Sequence, residues 1–334
     1  MSNWRHNNPG RAHSIPTHEV GIELSLSEML ECKKQADAME LPTQQHVKTH
    51  LLGGFISHFK GRGMDFDEAR PYQMGDDIRS IDWRVTARTG EAHTKIYREE
   101  RERPIFVILD QSAGMMFGSR RQFKSVQAAK IAATIMWKTL SDGNRFGALL
   151  FDEFNHFEHK PATTRKNCLR VLNQIVDNHN TQINRLYRSN TYTLPENFAL
   201  EKTLSRTRHL ARPGSLIFIV SDFQQYNDNC ENHLMRLSQH NEVNLIQLYD
   251  PLEQELPPSG QYTITNGLER ASINTQSRAL RQSYQHHFDQ RNQQLKELCL
   301  KHRMRWNLLS ADDDLTQRLT AATANKRAAM GGAT

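Results

Sequence analysis

Residues 105–114 read Ile105-Phe106-Val107-Ile108-Leu109-Asp110-Gln111-Ser112-Ala113-Gly114, and this stretch decides the fold. Its first five residues are apolar and rich in β-branched side chains, which indicates a strand buried on both faces. The run ends abruptly in Asp110 and Ser112, so these polar side chains lie where the strand leaves the sheet. In an open α/β sheet, that edge is where ligands bind.

Apolar strands and amphipathic helices alternate after this stretch. Such alternation predicts an α/β fold with a doubly wound, mostly parallel sheet across residues 104–312. The predicted order is helix 122–140, strand 145–151, helix 163–176, a polar surface excursion 178–193, helix 196–210, strand 215–220, a helix around Leu234, strand 243–249, a surface hairpin or loop 251–265, helix 276–302 and strand 305–309.

The chain before residue 104 has the composition of a separate, irregular module. Ser25 and Glu28 have the spacing of a capping box, which predicts a short helix that ends near Met39. Residues 53–97 are dense in Gly, Asp and Arg, which favours tight turns over a helix of any length, with an edge strand over 93–98. We therefore predict an N-terminal module with a loosely ordered arm (1–103), the sheet domain (104–312) and a frayed tail (313–334).

The composition argues against several classes of function. The chain of 334 residues has a net charge of +6, but its basic residues are dispersed, so nucleic acid is not the expected partner. No run approaches the roughly 20 apolar residues of a membrane helix, so we expect no direct membrane insertion. The four cysteines are far apart and form no CxxC pair, which suits buried thiols in a reducing compartment. We therefore expect a cytoplasmic protein.

Polar side chains follow two of the predicted strands. Asp110 and Ser112 come after the first, and Ser221 and Asp222 follow the equally apolar strand 215–220. If both strands are central and parallel, their carboxyl ends lie side by side, and these carboxylates and hydroxyls converge in one crevice. Hard oxygen ligands of this kind suit Mg²⁺. The alternative is that the same residues only cap helices and turns, as Asp and Ser commonly do.

A second set of carboxylates lies in the N-terminal module and offers an alternative function. A metal-dependent hydrolase would use such carboxylates to hold a water-activating ion and a general base. Arginines are interleaved with them closely enough to form ion pairs, which is the interpretation we prefer. The carboxylates are Asp65, Asp67, Asp76, Asp77 and Asp82, and the arginines are Arg62, Arg70, Arg79, Arg84 and Arg88.

The chain around the first strand resembles two known families. Asp110-Gln111-Ser112 resembles the start of the Asp-x-Ser-x-Ser motif of the metal-ion-dependent adhesion site in von Willebrand factor A domains. The block that precedes it resembles the bacterial family called domain of unknown function fifty-eight, and the similarity extends over about residues 24–250. The block contains Gly61-Arg62-Gly63-Met64-Asp65-Phe66, Arg70-Pro71-Tyr72, Gly75-Asp76-Asp77-Ile78-Arg79-Ser80-Ile81-Asp82-Trp83, Ala87-Arg88 and Glu99-Glu100.

The resemblance implies a von Willebrand factor A-like domain of Rossmann-like type that binds other proteins and is not an enzyme. The family is commonly associated with MoxR-type AAA+ ATPases. Such an ATPase is therefore the expected partner, in a chaperone-like role in the assembly or maturation of other proteins.

The resemblance also implies which residues form the site. A Mg²⁺ ion is expected at Asp110, Ser112 and Asp222, with Thr193 as a further candidate ligand. Gly114 stands where the adhesion motif has its second Ser, so one hydroxyl ligand is missing. The residues expected to contact the partner are Gly114, Arg79 and Asp82.

Overall fold

The computed structural model describes residues 21–39, 41, 64–76, 78–99, 103–188, 199–265 and 270–313. The predicted N-terminal arm, the candidate ligand Thr193 and the predicted tail beyond residue 313 lie outside these ranges. The helices are α1 Leu26–Ala36, α2 Trp83–Thr89, α3 Lys124–Ser141, α4 Arg165–Arg188, α5 Ala199–Leu210, α6 Asp228–Ser238, α7 Pro251–Gln254 and α8 Arg278–Lys301. The strands are β1 Met64–Pro71, β2 His93–Glu99, β3 Ile105–Asp110, β4 Phe146–Phe151, β5 His156–Ala162, β6 Leu216–Ser221, β7 Glu242–Tyr249, β8 Gln261–Thr265, β9 Arg270–Asn274 and β10 Arg305–Ser310.

A six-stranded sheet in the order β10-β7-β6-β3-β4-β5 forms the centre of the fold. The first five strands in this order run parallel, and only β5, at the edge of this sheet, is antiparallel. Every residue of β3, β4 and β6 is buried, which is what a strand covered on both faces requires. The predicted α/β fold with a mostly parallel, Rossmann-like sheet is confirmed.

The helices cover the two faces of this sheet. Side chains of β3 alternate between two hydrophobic cores, with Ile105, Val107 and Leu109 in one and Phe106 and Ile108 in the other. The first core is completed by α1, α3 and α4, and the second by α5, α6 and α8. Such alternation is expected of a doubly wound sheet, because helices cover both of its faces and each face buries an apolar layer of its own.

The described residues group into two compact units. Those numbered up to 43 and from 104 onward form the large unit, and those from 44 to 103 form the small unit. The predicted module 1–103 is therefore divided, because α1 packs in the large unit with Met29, Cys32 and Ala36 buried. The indole Nε1 of Trp137 in α3 donates a hydrogen bond of 2.9 Å to the carbonyl of Met29.

In the small unit, β1 and β2 form an antiparallel ladder, and α2 lies between them along the chain. The expectation of tight turns without a helix is wrong for residues 83–89, which form α2. The Asp82 carboxylate caps this helix by accepting hydrogen bonds from the backbone amides of Arg84 and Val85.

The polar excursion predicted from residue 178 is also wrong over its first part, because α4 continues to Arg188. Its polar side chains are paired with backbone groups of the segment before α1. Asn180 exchanges hydrogen bonds with the amide and carbonyl of Leu24, and His179 Nε2 lies 2.8 Å from the carbonyl oxygen of Ile22. These long-range bonds allow a polar stretch to continue as a helix with one buried side.

Among the described helices, none combines the length and the apolar character that crossing a bilayer requires.

Candidate functional site

The strand order places the candidate site at the carboxyl ends of β3 and β6. The chain runs from β3 to β4 on one side, and later returns to place β6 on the other side of β3. This reversal makes the gap between β3 and β6 a topological switch point, where open α/β sheets bind ligands. Asp110 ends β3, and Asp222 directly follows β6.

The structure brings the predicted strand-end residues into direct contact. Ser221 Oγ donates a hydrogen bond of 2.5 Å to Asp110 Oδ2, and the Ser112 amide donates one of 2.9 Å to Asp110 Oδ1. The amide of Gln224 donates to Asp222 Oδ1 at 2.9 Å. Both carboxylates are therefore fixed in orientation by hydrogen bonds that they accept from a hydroxyl and from backbone amides at the sheet edge.

Phe223 shows that the backbone after β6 is held in an uncommon conformation. Its φ is +55°, in the left-handed region that non-glycine residues rarely adopt, and its side chain is fully buried. The Phe223 amide donates to Ser221 Oγ at 2.9 Å, and its buried ring fixes the turn. This turn directs the Asp222 carboxylate across the switch point toward α3.

The residue that the sequence analysis missed is Lys124. Its Nζ lies 2.8 Å from Asp222 Oδ2 and 2.6 Å from Glu253 Oε1, and its side chain is 0% exposed. Lys124 lies on the buried side of α3, in helical register with Ala128, Ile131 and Ile135. That register was the available signal, since a lysine in line with core positions needs a buried counter-ion.

Glu253 is brought to Lys124 by the short helix α7. Asp250 and Glu253 form a capping box, in which the Asp250 amide donates to Glu253 Oε2 at 2.9 Å. The second Glu253 oxygen accepts from Lys124 and from Gln224 Nε2, the latter at 3.0 Å. Asp250 in turn accepts a 2.7 Å hydrogen bond from the Ser119 amide, which ties α7 to the segment before α3.

The charges in the site shift one another's pKa values. Burial, followed by the negative charge of Asp222, raises the pKa of Asp110 well above the ordinary carboxyl range. Burial lowers the pKa of Lys124, but Asp222 and Glu253 more than offset this, so its pKa lies above the ordinary lysine value. Lys124 is therefore charged at neutral pH.

A further carboxylate, Glu153, lies two residues after the end of β4, on that side of the site. Its Oε1 accepts a 2.7 Å hydrogen bond from the Ala113 amide, while its buried Oε2 has no hydrogen-bond partner among the described residues. Burial raises the pKa of Glu153, only partly opposed by the Ala113 amide.

The side chains around Asp110 and Asp222 do not fit the Mg²⁺ ion that the resemblance implies. Mg²⁺ takes six oxygens in near-octahedral geometry, several of them usually from water, so at least one carboxylate oxygen must be free to face it. All four oxygens of Asp110 and Asp222 already accept hydrogen bonds, one of them from the Lys124 ammonium. Gly114 supplies no hydroxyl. Within the described ranges, no group of three or more His, Cys, Asp or Glu side chains is arranged so that it could hold a metal ion.

The carboxylates of the small unit have structural partners where their side chains are described. Asp76 pairs with Arg70 at 2.7 Å and accepts from the Gln73 amide at 3.0 Å. The Gln73 amide, and then Arg70, lowers the pKa of Asp76, and the Val85 amide lowers that of Asp82. The side chains of Asp65 and Asp67, and Asp77 as a whole, lie outside the described residues.

The three predicted partner-contact residues fall in different units. Arg79 lies in the 3₁₀ turn Ile78–Ser80 and is exposed, and Asp82 caps α2, both in the small unit. Gly114 lies in the large unit, where a Cβ at its position would be 3.1 Å from Asp222 Oδ2.

Exposed aromatic side chains surround the same edge of the sheet. Phe117, Phe154 and Tyr187 are 41%, 46% and 48% exposed. The Tyr187 hydroxyl donates to the carbonyl of Met116 at 2.9 Å, and the Arg185 guanidinium lies 5.0 Å from the centre of the Phe154 ring. We call Phe117, Phe154, Arg185 and Tyr187 the aromatic rim.

Comparison with known proteins identifies the family. The family model described as "Protein of unknown function DUF58" matches residues 68–294, more than half of the chain. The chain belongs to this family. The resemblance predicted from the block around residues 61–112 is thereby confirmed.

Relatives of the chain include uncharacterized proteins from Mycobacterium tuberculosis and Mycobacterium bovis. Each is 29% identical over 231 residues, which cover 68% of this chain and 68% of the relative. Among solved structures, the chain is similar to BatB from Bacteroides thetaiotaomicron, with 10% identity, a TM-score of 0.42 and coverage of 67% of this chain and 98% of that one. It is also similar to the SpRpn10 VWA domain, with 12% identity, a TM-score of 0.33 and coverage of 66% and 94%.

Proposed function

We propose that this DUF58 protein is a non-enzymatic adaptor that binds a MoxR-type AAA+ ATPase in the assembly or maturation of other proteins. The family resemblance suggests the ATPase, and the exposed side chains at one edge of the sheet support the proposed place of contact. The compartment we propose is the cytoplasm, because the four cysteines are buried free thiols, as expected in a reducing environment.

The observation that carries the proposal is the aromatic rim at the carboxyl edge of the sheet. Aromatic and arginine side chains are enriched among the residues that dominate the binding energy of protein interfaces, and the aromatic ones bury a large area with little loss of conformational freedom. Here three of them are partly exposed around a rigid, charged centre rather than in the core. A surface of this composition at a switch point is suited to a protein partner.

Hydrogen bonds link the rim to the loop that follows Asp110. The Ala113 amide bonds Glu153, which directly precedes Phe154, and the Met116 carbonyl bonds Tyr187. The loop that follows Asp110 therefore joins β4, α4 and the switch point. A partner on the rim would contact elements that the carboxylate cluster holds in place.

The test is co-expression of the chain with a MoxR-type ATPase, followed by affinity capture and sedimentation of the complex. We expect Phe154→Ala and Tyr187→Ala each to weaken binding at least about tenfold, the range of an interface hot spot. The matched control is Leu300→Ala, because Leu300 is 70% exposed but lies just before β10, at the opposite edge of the sheet. Equal binding by all three variants would contradict the rim as the contact, and no complex with the wild-type chain would contradict the partner.

A further inference from the structure

We propose that the ammonium of Lys124 is the resident cation of this site. It pairs with Asp222 and Glu253 and takes the place that a divalent metal has in an adhesion site. Its Nζ is 2.8 Å from Asp222 and 2.6 Å from Glu253, distances of charge-assisted hydrogen bonds. The site thus has its positive charge built into the chain.

The position of Lys124 in its helix supports this assignment. It is the first residue of α3, whose unsatisfied amides give the helix N-terminus a partial positive charge. A lysine there is unfavourable, and burying it completely is more unfavourable still. Nearby carboxylates offset both the repulsion from the helix N-terminus and the cost of burying the charge, and the structure supplies two of them.

Gly114 provides an independent argument. A Cβ at this position would lie 3.1 Å from Asp222 Oδ2, the oxygen that accepts from Lys124. A serine there would bring its hydroxyl to the oxygen that the ammonium already uses. The absence of the motif's hydroxyl and the presence of the buried lysine are therefore linked, because a glycine at this position leaves Asp222 Oδ2 free to accept from Lys124.

Glu253 completes the cation's surroundings. Its side chain is held by the capping box of α7 and by Gln224, so it does not need to move to reach Lys124. Lys124 thereby connects β6, α3 and α7 through one buried charge.

The experiment measures the thermal unfolding of the full chain in EDTA, Mg²⁺ and Mn²⁺, together with calorimetric titration of both metals. The proteins are the wild type, Lys124→Met and the matched control Lys138→Met. Lys138 is in the same helix and pairs with Asp142 at 2.8 Å, but it is partly exposed. A site with a dissociation constant of about 100 µM would raise the midpoint by several degrees at about 10 mM metal.

We expect the metals to leave the wild type and Lys138→Met within about 1 °C of their values in EDTA and to raise the midpoint of Lys124→Met by several degrees. Binding by the wild type would overturn the proposal, because the metal would then have a place of its own. No response in any protein would also overturn it, since the carboxylates would not form a cation site. If Lys124→Met does not fold, Lys124→Met/Glu253→Gln, which has one fewer uncompensated charge, takes its place.

Discussion

Replacement of Lys124 by Met is the perturbation that most directly tests the electrostatics of the switch point. Methionine fills nearly the same volume without the charge, so the change removes the ammonium while leaving α3 packed. Asp222, 5% exposed, then lies beside the buried Asp110 without a counter-ion. We expect a large loss of stability in metal-free buffer.

The size of the loss follows from the geometry. Coulomb's law at an effective dielectric constant of about 20 gives about 6 kcal/mol for unit charges 2.8 Å apart, before the desolvation of either charge. Because desolvation opposes this attraction, the measured effect of breaking a buried pair is about 3–5 kcal/mol. We expect the free energy of unfolding to fall by about 3–5 kcal/mol. Glu253→Gln should lower it less, because that side chain is 21% exposed.

Urea denaturation at pH 7.5 with EDTA measures this free energy, with Lys138→Met as the control. That surface pair is separated by four residues in the helix, so its loss should lower the unfolding free energy by no more than about 0.5 kcal/mol. The double variant Lys124→Met/Asp222→Asn should recover at least about 2 kcal/mol of the predicted loss, because the more deeply buried of the two uncompensated carboxylates is then neutral. A Lys124→Met value within about 1 kcal/mol of the control would refute the reasoning.

Three further predictions concern other parts of the fold. Burial lowers the pKa of His179 to about 4, so protonation opposes folding below the unfolded value near 6.5. From pH 7.5 to pH 5.0, the free energy of unfolding of the wild type should therefore fall by about 2 kcal/mol more than that of His179→Gln. Parallel pH profiles of the two proteins would contradict this. Trp137→Phe removes the hydrogen bond to Met29 and should lower the unfolding free energy by about 1–2 kcal/mol, measured by urea denaturation, whereas an unchanged midpoint would show that the bond contributes nothing. Arg303 is exposed and has a φ of +55°, a backbone conformation that glycine adopts with less strain. Arg303→Gly should therefore stabilise the folded state by about 0.5–1 kcal/mol and raise the thermal midpoint. A lower midpoint would count against strain at this position.

The sheet could be predicted because its central strands carry their own signal. β3 and β6 are continuous apolar runs rich in β-branched residues, and such runs are stable only when both faces are covered. Two strands of this kind belong at the centre of a parallel sheet, where their carboxyl ends meet. The convergence of Asp110 with Ser221 and Asp222 therefore followed from strand type alone.

Elements whose polar residues are paired with distant parts of the chain could not be predicted in this way. The continuation of α4 past residue 177 depends on hydrogen bonds from His179 and Asn180 to backbone 156 or 157 residues away. α1 likewise belongs to the large unit because its apolar face packs against α3, which lies about a hundred residues later in the sequence. Local patterns report which face of an element is apolar, but not which distant partner covers its polar atoms.

Lys124 was missed for the same reason, and it changes the meaning of the site. Its two carboxylates lie 98 and 129 residues away, so the local sequence places it in line with core positions of α3 but does not show which side chains balance its charge. A bound metal can leave, and the charge of such a site then depends on the ion concentration. A lysine held by two carboxylates cannot leave, so its positive charge does not depend on the metal-ion concentration, and α3, β6 and α7 stay connected. On the proposed assignment, the switch point gives the aromatic rim a fixed support, and partner binding at the rim should proceed equally well in EDTA and in Mg²⁺.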